Sequence, residues 1–291
     1  MTTLGQWSQG ARLRTLPAAI SPVLVGTGAA AATDSAHPGR ALLALLVAIA
    51  LQVGVNYAND YSDGVRGTDD DRVGPFRLVG SGAATAPAVR LAAWASFATG
   101  AIAGLILVAL TGDWWLLAVG AAAIVAAWYY TGGSRPYGYR ALGEASVFVF
   151  FGLVAVLGTM YVQAGRITVT AALAAVGVGS LACALLLVNN VRDAPKDAAA
   201  GKRTLAVAVG ESHARLFYAG TMTLPFVLVL FLIGLDGPWT ALALLAVPAA
   251  AASTLPVVRG ASGVGLIPAL RATSMTGLLF AALLALGFAL S

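Results

Sequence analysis

Charge is scarce in this chain. Asp, Glu, Lys and Arg make up 10% of its 291 residues, against about a quarter in an ordinary soluble domain. Cys183 is the single cysteine, so an internal disulfide and a cysteine-based metal site are both excluded. It lies in an apolar run and reads as a small buried hydrophobe. There are two histidines, His37 and His213, and neither has a partner acid in sequence that suggests a base. No Walker-type or dinucleotide glycine loop occurs. No long basic run occurs either, so the net charge of +5 points to a membrane surface and not to nucleic acid. A short apolar core with a small-residue cleavage site is also missing at the start. The first apolar stretch follows Arg12 and Arg14 and is long, which predicts a retained span and not a cleaved signal.

What remains is apolar. Hydrophobic residues make up 59% of the chain and the mean hydropathy is +0.86. Such an excess must face something other than water, and lipid is the solvent that fits. Windows of about 20 apolar residues predict nine spans, roughly 15–32, 40–60, 88–111, 114–131, 143–163, 168–190, 213–235, 238–258 and 270–290. Pro17 and Pro22 interrupt the first, and Pro248 and Pro256 the eighth; neighbouring helices accommodate such breaks. Glycine spacings such as Gly100 and Gly104, or Gly177 and Gly179, read as close helix packing. The expected fold is all-α and polytopic, one domain over residues 1–291.

The cations orient it. With nine spans, fifteen of the seventeen Lys and Arg residues fall on one side, and only Arg40 and Arg166 on the other. The positive-inside rule then puts the N-terminus in the cytoplasm and the C-terminus outside. The acids sort the same way, which that rule does not require. Only Asp34, Asp113 and Asp236 fall outside. Loops rich in both signs suggest a site.

Two acidic segments stand out, at 56–72 and 189–204. Asn56, Asp60 and Asp63 fall at i, i+4 and i+7, and Asn189, Asp193 and Asp197 at i, i+4 and i+8. Each set shares one helical face, the second only if Pro195 does not break the helix. Asn-x-x-x-Asp occurs in both, each at the cytoplasmic end of a span. This echo suggests a pseudo-twofold bundle with both sites turned to one cavity. Carboxylates at a membrane boundary are costly unless paired or metal-bound, and all-oxygen ligation suits Mg2+ or Mn2+. Mg2+ usually bridges carboxylates to phosphate oxygens. Arg66, Arg72, Lys202 and Arg203 lie beside the acids to grip an anion, so a lipid diphosphate is the expected ligand. Asp70 and Asp71 read as solvated loop acids.

With these residues in view, the chain resembles the UbiA-type superfamily of intramembrane prenyltransferases. That superfamily carries Asn-Asp-x-x-Asp-x-x-x-Asp after its second span. Asn59, Asp60 and Asp63 match it, but Gly67 stands where the last acid belongs and Asp69 is the expected substitute. Asp193 and Asp197 match the second motif, Asp-x-x-x-Asp. The resemblance covers nearly the whole chain and implies nine helices around a central cavity. Softer matches point to the menaquinone-pathway branch. They are Gly67-Thr68-Asp69, Gly74-Pro75-x-Arg77-Leu78-Val79, Tyr137-Gly138-Tyr139 through Leu142-Gly143-Glu144, Asn189-Asn190-x-Arg192-Asp193 and Gly201-Lys202-Arg203-Thr204-Leu205. In Arg12-Leu-Arg14-Thr15-Leu16-Pro17, Leu13 and Arg14 depart from the usual Arg-Pro-Lys-Thr-Leu.

The resemblance implies Mg2+-dependent transfer of a polyprenyl group from polyprenyl diphosphate to 1,4-dihydroxy-2-naphthoate, with loss of CO2, at the cytoplasmic face of the cell membrane. Asp60, Asp63, Asp193, Asp197 and Asp69 would hold the metal. Asn56, Asn59 and Asn189 would ligate or orient, and Arg14, Arg66, Arg77, Lys202 and Arg203 would grip the diphosphate. Tyr130, with Trp128, Phe148 and Phe151, is a candidate to face a carbocation, although aromatics in spans more often meet lipid or core. Other acceptors, such as 4-hydroxybenzoate or homogentisate, remain alternatives. A secondary transporter is another, because echoed helices and intramembrane acids serve transport as well.

Overall fold

A computed structural model describes residues 2–67 and 76–291. The expected ligand Asp69 lies outside the described residues, as do Asp70, Asp71, Arg72, Gly74 and Pro75. Among the described residues every regular element is helical. Hydrocarbon enforces this, since each backbone N–H and C=O must find its partner inside the segment.

In chain order the helices are α1 (Leu4–Gly10), α2 (Leu16–Ala31), α3 (Pro38–Val65), α4 (Ala86–Thr111), α5 (Leu116–Tyr129) and α6 (Gly143–Val147). A π-helical segment, Phe148–Val154, joins α6 to α7 (Ala155–Ala164). Then come α8 (Val169–Ala199), α9 (Leu205–Val209), α10 (Glu211–Asp236), α11 (Val247–Val258) and α12 (Ile267–Leu290). Among the described residues, seven segments are long and apolar enough to cross a membrane: Pro38–Val65, Ala86–Thr111, Gly143–Ala164, Val169–Ala199, Glu211–Asp236, Pro238–Val258 and Gly263–Leu290. The first and fourth expected spans correspond to α2 and α5. These have 16 and 14 residues, short of the ~20 that cross a full hydrocarbon core.

The chain divides into two compact units. The first combines residues up to Leu16 with Leu43–Arg140. Its core gathers Ala11, Tyr57, Ala58, Leu78, Val89, Ala93 and Phe97. Gly54 lets Phe97 lie on α3, since a Cβ there would sit 2.6 Å from the ring. Trp94 and Trp128 stack nearby at 4.7 Å.

The second unit combines Pro17–Leu42 with Ala141–Ser291. Its axis is α8, whose most apolar stretch is 67% buried against 28–39% for the other six long segments. It packs on α10, α12 and the π segment. Small residues set the close approaches. A Cβ on Gly152 would lie 2.6 Å from the Gly179 Cα, and one on Gly28 would lie 2.6 Å from the Ala285 Cα. Pro195 does not break α8, which runs on to Ala199. Gly201 ends it at φ +71, a left-handed turn that lets the Lys202 N–H reach the Asp197 carbonyl at 2.8 Å.

Candidate active site

The C-terminal turns of α3 present a polar face inside the first unit. Asn56, Asp60 and Asp63 share it and all are buried. The Asn56 amide donates to the Ala11 carbonyl at 2.9 Å and to Thr15 Oγ1 at 3.0 Å. Asp60 has no exposed surface. Its Oδ2 accepts the Leu78 N–H at 2.7 Å and its Oδ1 the Val79 N–H at 3.0 Å. One carboxylate thus pins the backbone at Leu78 and Val79. That backbone aims Arg77 at Asp63, with Nη2 3.4 Å from Oδ2 and both side chains buried. The Tyr139 hydroxyl donates to Oδ1 of the same carboxylate. Burial first, and then the charge of Asp63, push the Tyr139 phenol up from its ordinary range, so it stays protonated as a donor.

Around this core sit the weaker candidates. Arg66 is exposed, donates to the carbonyls of Thr131 and Gly133 and lies 5.7 Å over the Tyr139 ring. Thr131 Oγ1 donates to Asn59 Oδ1 at 2.7 Å. Tyr130 is half-buried and meets Tyr137 edge to face at 5.5 Å. Arg14 is exposed, within the turn Leu13–Thr15.

The second unit carries its acids on the last turns of α8. Asp193 is buried, while Asn189 and Asp197 are half-buried. Arg192 holds both oxygens of Asp193 at 2.7 Å and Asn189 Oδ1 at 2.8 Å. Beyond the helix, Lys202 is buried and Arg203 exposed. The neighbouring Asn190 turns elsewhere and donates to Glu144 Oε1 at 2.8 Å.

These donors suit a hard divalent cation on chemical grounds. Each carboxylate offers about four lone-pair sites, and the two contacts on Asp60 leave further capacity. Among the described residues no three His, Cys, Asp or Glu side chains gather into a cage. Mg2+ rarely requires one, binding through one or two carboxylates plus water and phosphate oxygens. The set therefore fits an ion that arrives with a phosphate better than a permanent structural ion.

Residues 19–262 match the model of the UbiA prenyltransferase family. The chain belongs to the UbiA prenyltransferase family. A 1,4-dihydroxy-2-naphthoate octaprenyltransferase from Mycobacterium tuberculosis is 54% identical over 281 residues, covering 97% of this chain and 96% of the relative. A protein of the same name from Escherichia coli is 39% identical, with 98% and 95% covered. The fold matches a UbiA homologue from Archaeoglobus fulgidus bound to GPP and Mg2+, with a TM-score of 0.71 at 15% identity, covering 98% of this chain and 100% of that one. An apo UbiA homologue from Aeropyrum pernix gives a TM-score of 0.73 at 14% identity, with 92% and 97% covered.

For this UbiA-family chain, the structure gathers Asn56, Asn59, Asp60, Asp63, Arg66 and Arg77 in one unit, and Asn189, Asp193, Asp197 and Lys202 in the other. Sequence reasoning missed Thr131 and gave Tyr139 no role beyond the match Tyr137-Gly138-Tyr139, since nothing in their spacing ties them to α3. It passed over Arg192 as a partner of Asp193, though adjacency was a usable signal. It quoted Glu144 and Asn190 as matching letters and gave them no role. An acid at the edge of a predicted span was the signal there.

Proposed function

We propose that this chain transfers a polyprenyl group from polyprenyl diphosphate to 1,4-dihydroxy-2-naphthoate, releasing diphosphate and CO2 and giving demethylmenaquinone in its reduced form. The observation that carries this is the 54% identity, over 97% of the chain, to a relative named for that transfer. The acidic ends of α3 and α8 provide chemistry that suits it.

Asp60, Asp63, Asp193 and Asp197 are the proposed Mg2+ ligands, with Asp69 as a further one and Asn56, Asn59 and Asn189 orienting them. Mg2+, when bound, neutralises the charge that gathers on the leaving diphosphate. Arg77, Lys202, Arg203, Arg66 and Arg14 hold the outer phosphate oxygens through charge-assisted hydrogen bonds. Tyr139 and Arg77 keep Asp63 oriented until substrate arrives. Apolar walls keep water from the allylic cation, and Tyr130 lends it an aromatic face. The electron-rich ring attacks that cation, and the tail leaves into lipid.

We further propose nine crossings, with α2 and α5 as short spans, the N-terminus in the cytoplasm and the acidic ends facing it in the cell membrane. The charge asymmetry of the loops supports this. Residues 1–291 act as one catalytic domain.

Purified protein in vesicles, given polyprenyl diphosphate, Mg2+ and a panel of aromatic acids, tests the reading. Prenylated dihydroxynaphthoate should form, EDTA should abolish it and Mg2+ restore it. Asp193→Asn should lower turnover by at least about a hundredfold. Product from 4-hydroxybenzoate or homogentisate alone would move the chain to another branch. Solute flux without any prenylated product would replace the enzyme with a transporter.

A further inference from the structure

One buried acid has no part in that scheme. Glu144 is the second residue of α6, and it is 8% exposed. Its Oε1 accepts the Asn190 amide at 2.8 Å. Its Oε2 is enclosed and has no hydrogen-bond partner among the described residues. The Glu144 backbone carbonyl accepts the Cys183 thiol at 3.2 Å. Cys183 and Asn190 are seven residues apart and share one face of α8. The start of α6 is therefore fixed along two turns of the helix that carries Asp193.

The position is informative. Asn190 precedes Asp193 by three residues, about 4.5 Å along the helix axis. Glu144 thus lies roughly one turn from Asp193, toward the apolar body of α8. A carboxyl group enclosed there with half its capacity unused is expensive. Packing alone does not account for it, because a glutamine would satisfy Asn190 at lower cost. The helix also changes form just beyond, in the π segment Phe148–Val154, a distortion that often marks functional positions. Gly152 fixes that segment against Gly179, so the offset is held by backbone contact.

We infer that Glu144 Oε2 accepts a hydrogen bond from a ring hydroxyl of the aromatic acceptor, orienting the ring about one turn to the apolar side of Asp193. The inference rests on the reaction proposed above. Acting as a carboxylate, Oε2 can only accept, so the ligand that fits it is a donor. A prenyl tail has no donor and the acceptor's own carboxylate has none, whereas its hydroxyls do. A hydroxyl bonded to an anionic oxygen also makes the ring more electron-rich, which is what attack on an allylic cation needs.

Kinetics with both substrates varied separately test this in the same vesicles. Glu144→Gln keeps the shape but turns an amide N–H toward the hydroxyl. It should raise KM for dihydroxynaphthoate by about tenfold or more, the scale of a lost charged hydrogen bond. KM for polyprenyl diphosphate should stay within about twofold, and Tm should not fall. Glu144→Asp, which keeps the anion, should lie between the two. A cycle with the two monomethyl ethers of the acceptor removes dependence on any one variant. One ether should bind wild type as weakly as the natural acceptor binds Glu144→Gln, and the substitution should cost that ether nothing further.

An unchanged acceptor KM in Glu144→Gln overturns the inference. So does a matched rise in both KM values together with a lower Tm, which marks a purely structural role. If Glu144→Gln does not fold, the ethers decide: wild type that takes both as readily as the parent overturns it. Wild-type protein that makes no prenylated product defeats the proposed reaction itself. Turnover with an indifferent Glu144→Gln defeats this inference alone.

Discussion

Asp60→Asn separates two uses of one carboxylate. Asp60 is fully buried and accepts two backbone N–H groups, Leu78 at 2.7 Å and Val79 at 3.0 Å. Asparagine keeps the shape but offers one oxygen. Its amide NH2 must face the second N–H, so one donor loses its partner and the other loses its charged acceptor. A hydrogen bond to a charged group contributes about 1.5–3 kcal/mol, and an unsatisfied buried donor costs ~1–3 kcal/mol. Allowing for relaxation, the local loss should be about 2–4 kcal/mol. At a tenfold change per 1.4 kcal/mol, the segment should open about thirty- to seven-hundred-fold more often. Hydrogen exchange read by mass spectrometry on the peptide that holds residues 76–82 measures this directly, with protein in nanodiscs and no substrate or metal present. Protection should fall there and hold in α10 and α12, which belong to the other unit. Unchanged exchange at Leu78 and Val79 would refute the anchoring argument, whatever happened to turnover.

Other expectations follow from the same geometry. Gly152→Ala should destabilise by about 1–3 kcal/mol, as overpacking does, because its Cβ meets the Gly179 backbone at 2.6 Å. Gly158→Ala meets nothing within 4 Å and should leave Tm level or slightly higher, so equal Tm changes for the pair would contradict the packing account. Tyr139 has its phenol raised by burial and by Asp63. The folded state then holds that proton more tightly than the unfolded one. Its stabilising share is complete below an ordinary tyrosine's range near 10 and fades as pH rises through the higher folded value. An ultraviolet titration of wild type against Tyr139→Phe should accordingly show no extra tyrosinate signal between about pH 9 and 11. A signal at the ordinary midpoint would show that the Asp63 contact is absent. Arg192→Gln should loosen Asp193, which Arg192 grips through both oxygens, and should raise the Mg2+ concentration needed for half-maximal turnover severalfold; an unmoved Mg2+ dependence would argue against the pairing.

Much of this molecule could be read from spacing. The all-helical class followed from apolar run length, and the shared faces of Asn56, Asp60 and Asp63 and of Asn189, Asp193 and Asp197 followed from helical period. The continuation of α8 through Pro195 was posed as a condition, and the helix meets it. Length was harder to judge. The windows around α2 and α5 are apolar for about a span, but Leu13–Thr15 form a separate turn before α2 and Trp115 caps a helix that stops at Tyr129. Hydropathy counts apolar residues and does not see where backbone geometry ends a helix. Long-range partners were hidden for a different reason. The Tyr139 contact with Asp63 joins positions 76 residues apart, and the Asn190 contact with Glu144 joins positions 46 apart. Neither can be read from periodicity. The acids also carried a double meaning: a motif shows where negative charge collects, while only three dimensions reveal that Asp60 tethers backbone.

The unbroken course of α8 has a mechanical corollary. Thirty-one residues make a rod of about 46 Å at ~1.5 Å each, longer than the ~30 Å of oily interior. Such a shaft fixes angle as well as height. Adding one amino acid between Leu187 and Asn189 would swing everything beyond it by about 100° and turn the acidic tip away from its present heading, while the packed stem stayed in place. Chain length in that stretch therefore sets the heading of Asp193, and an insertion there should lower turnover without unfolding the protein.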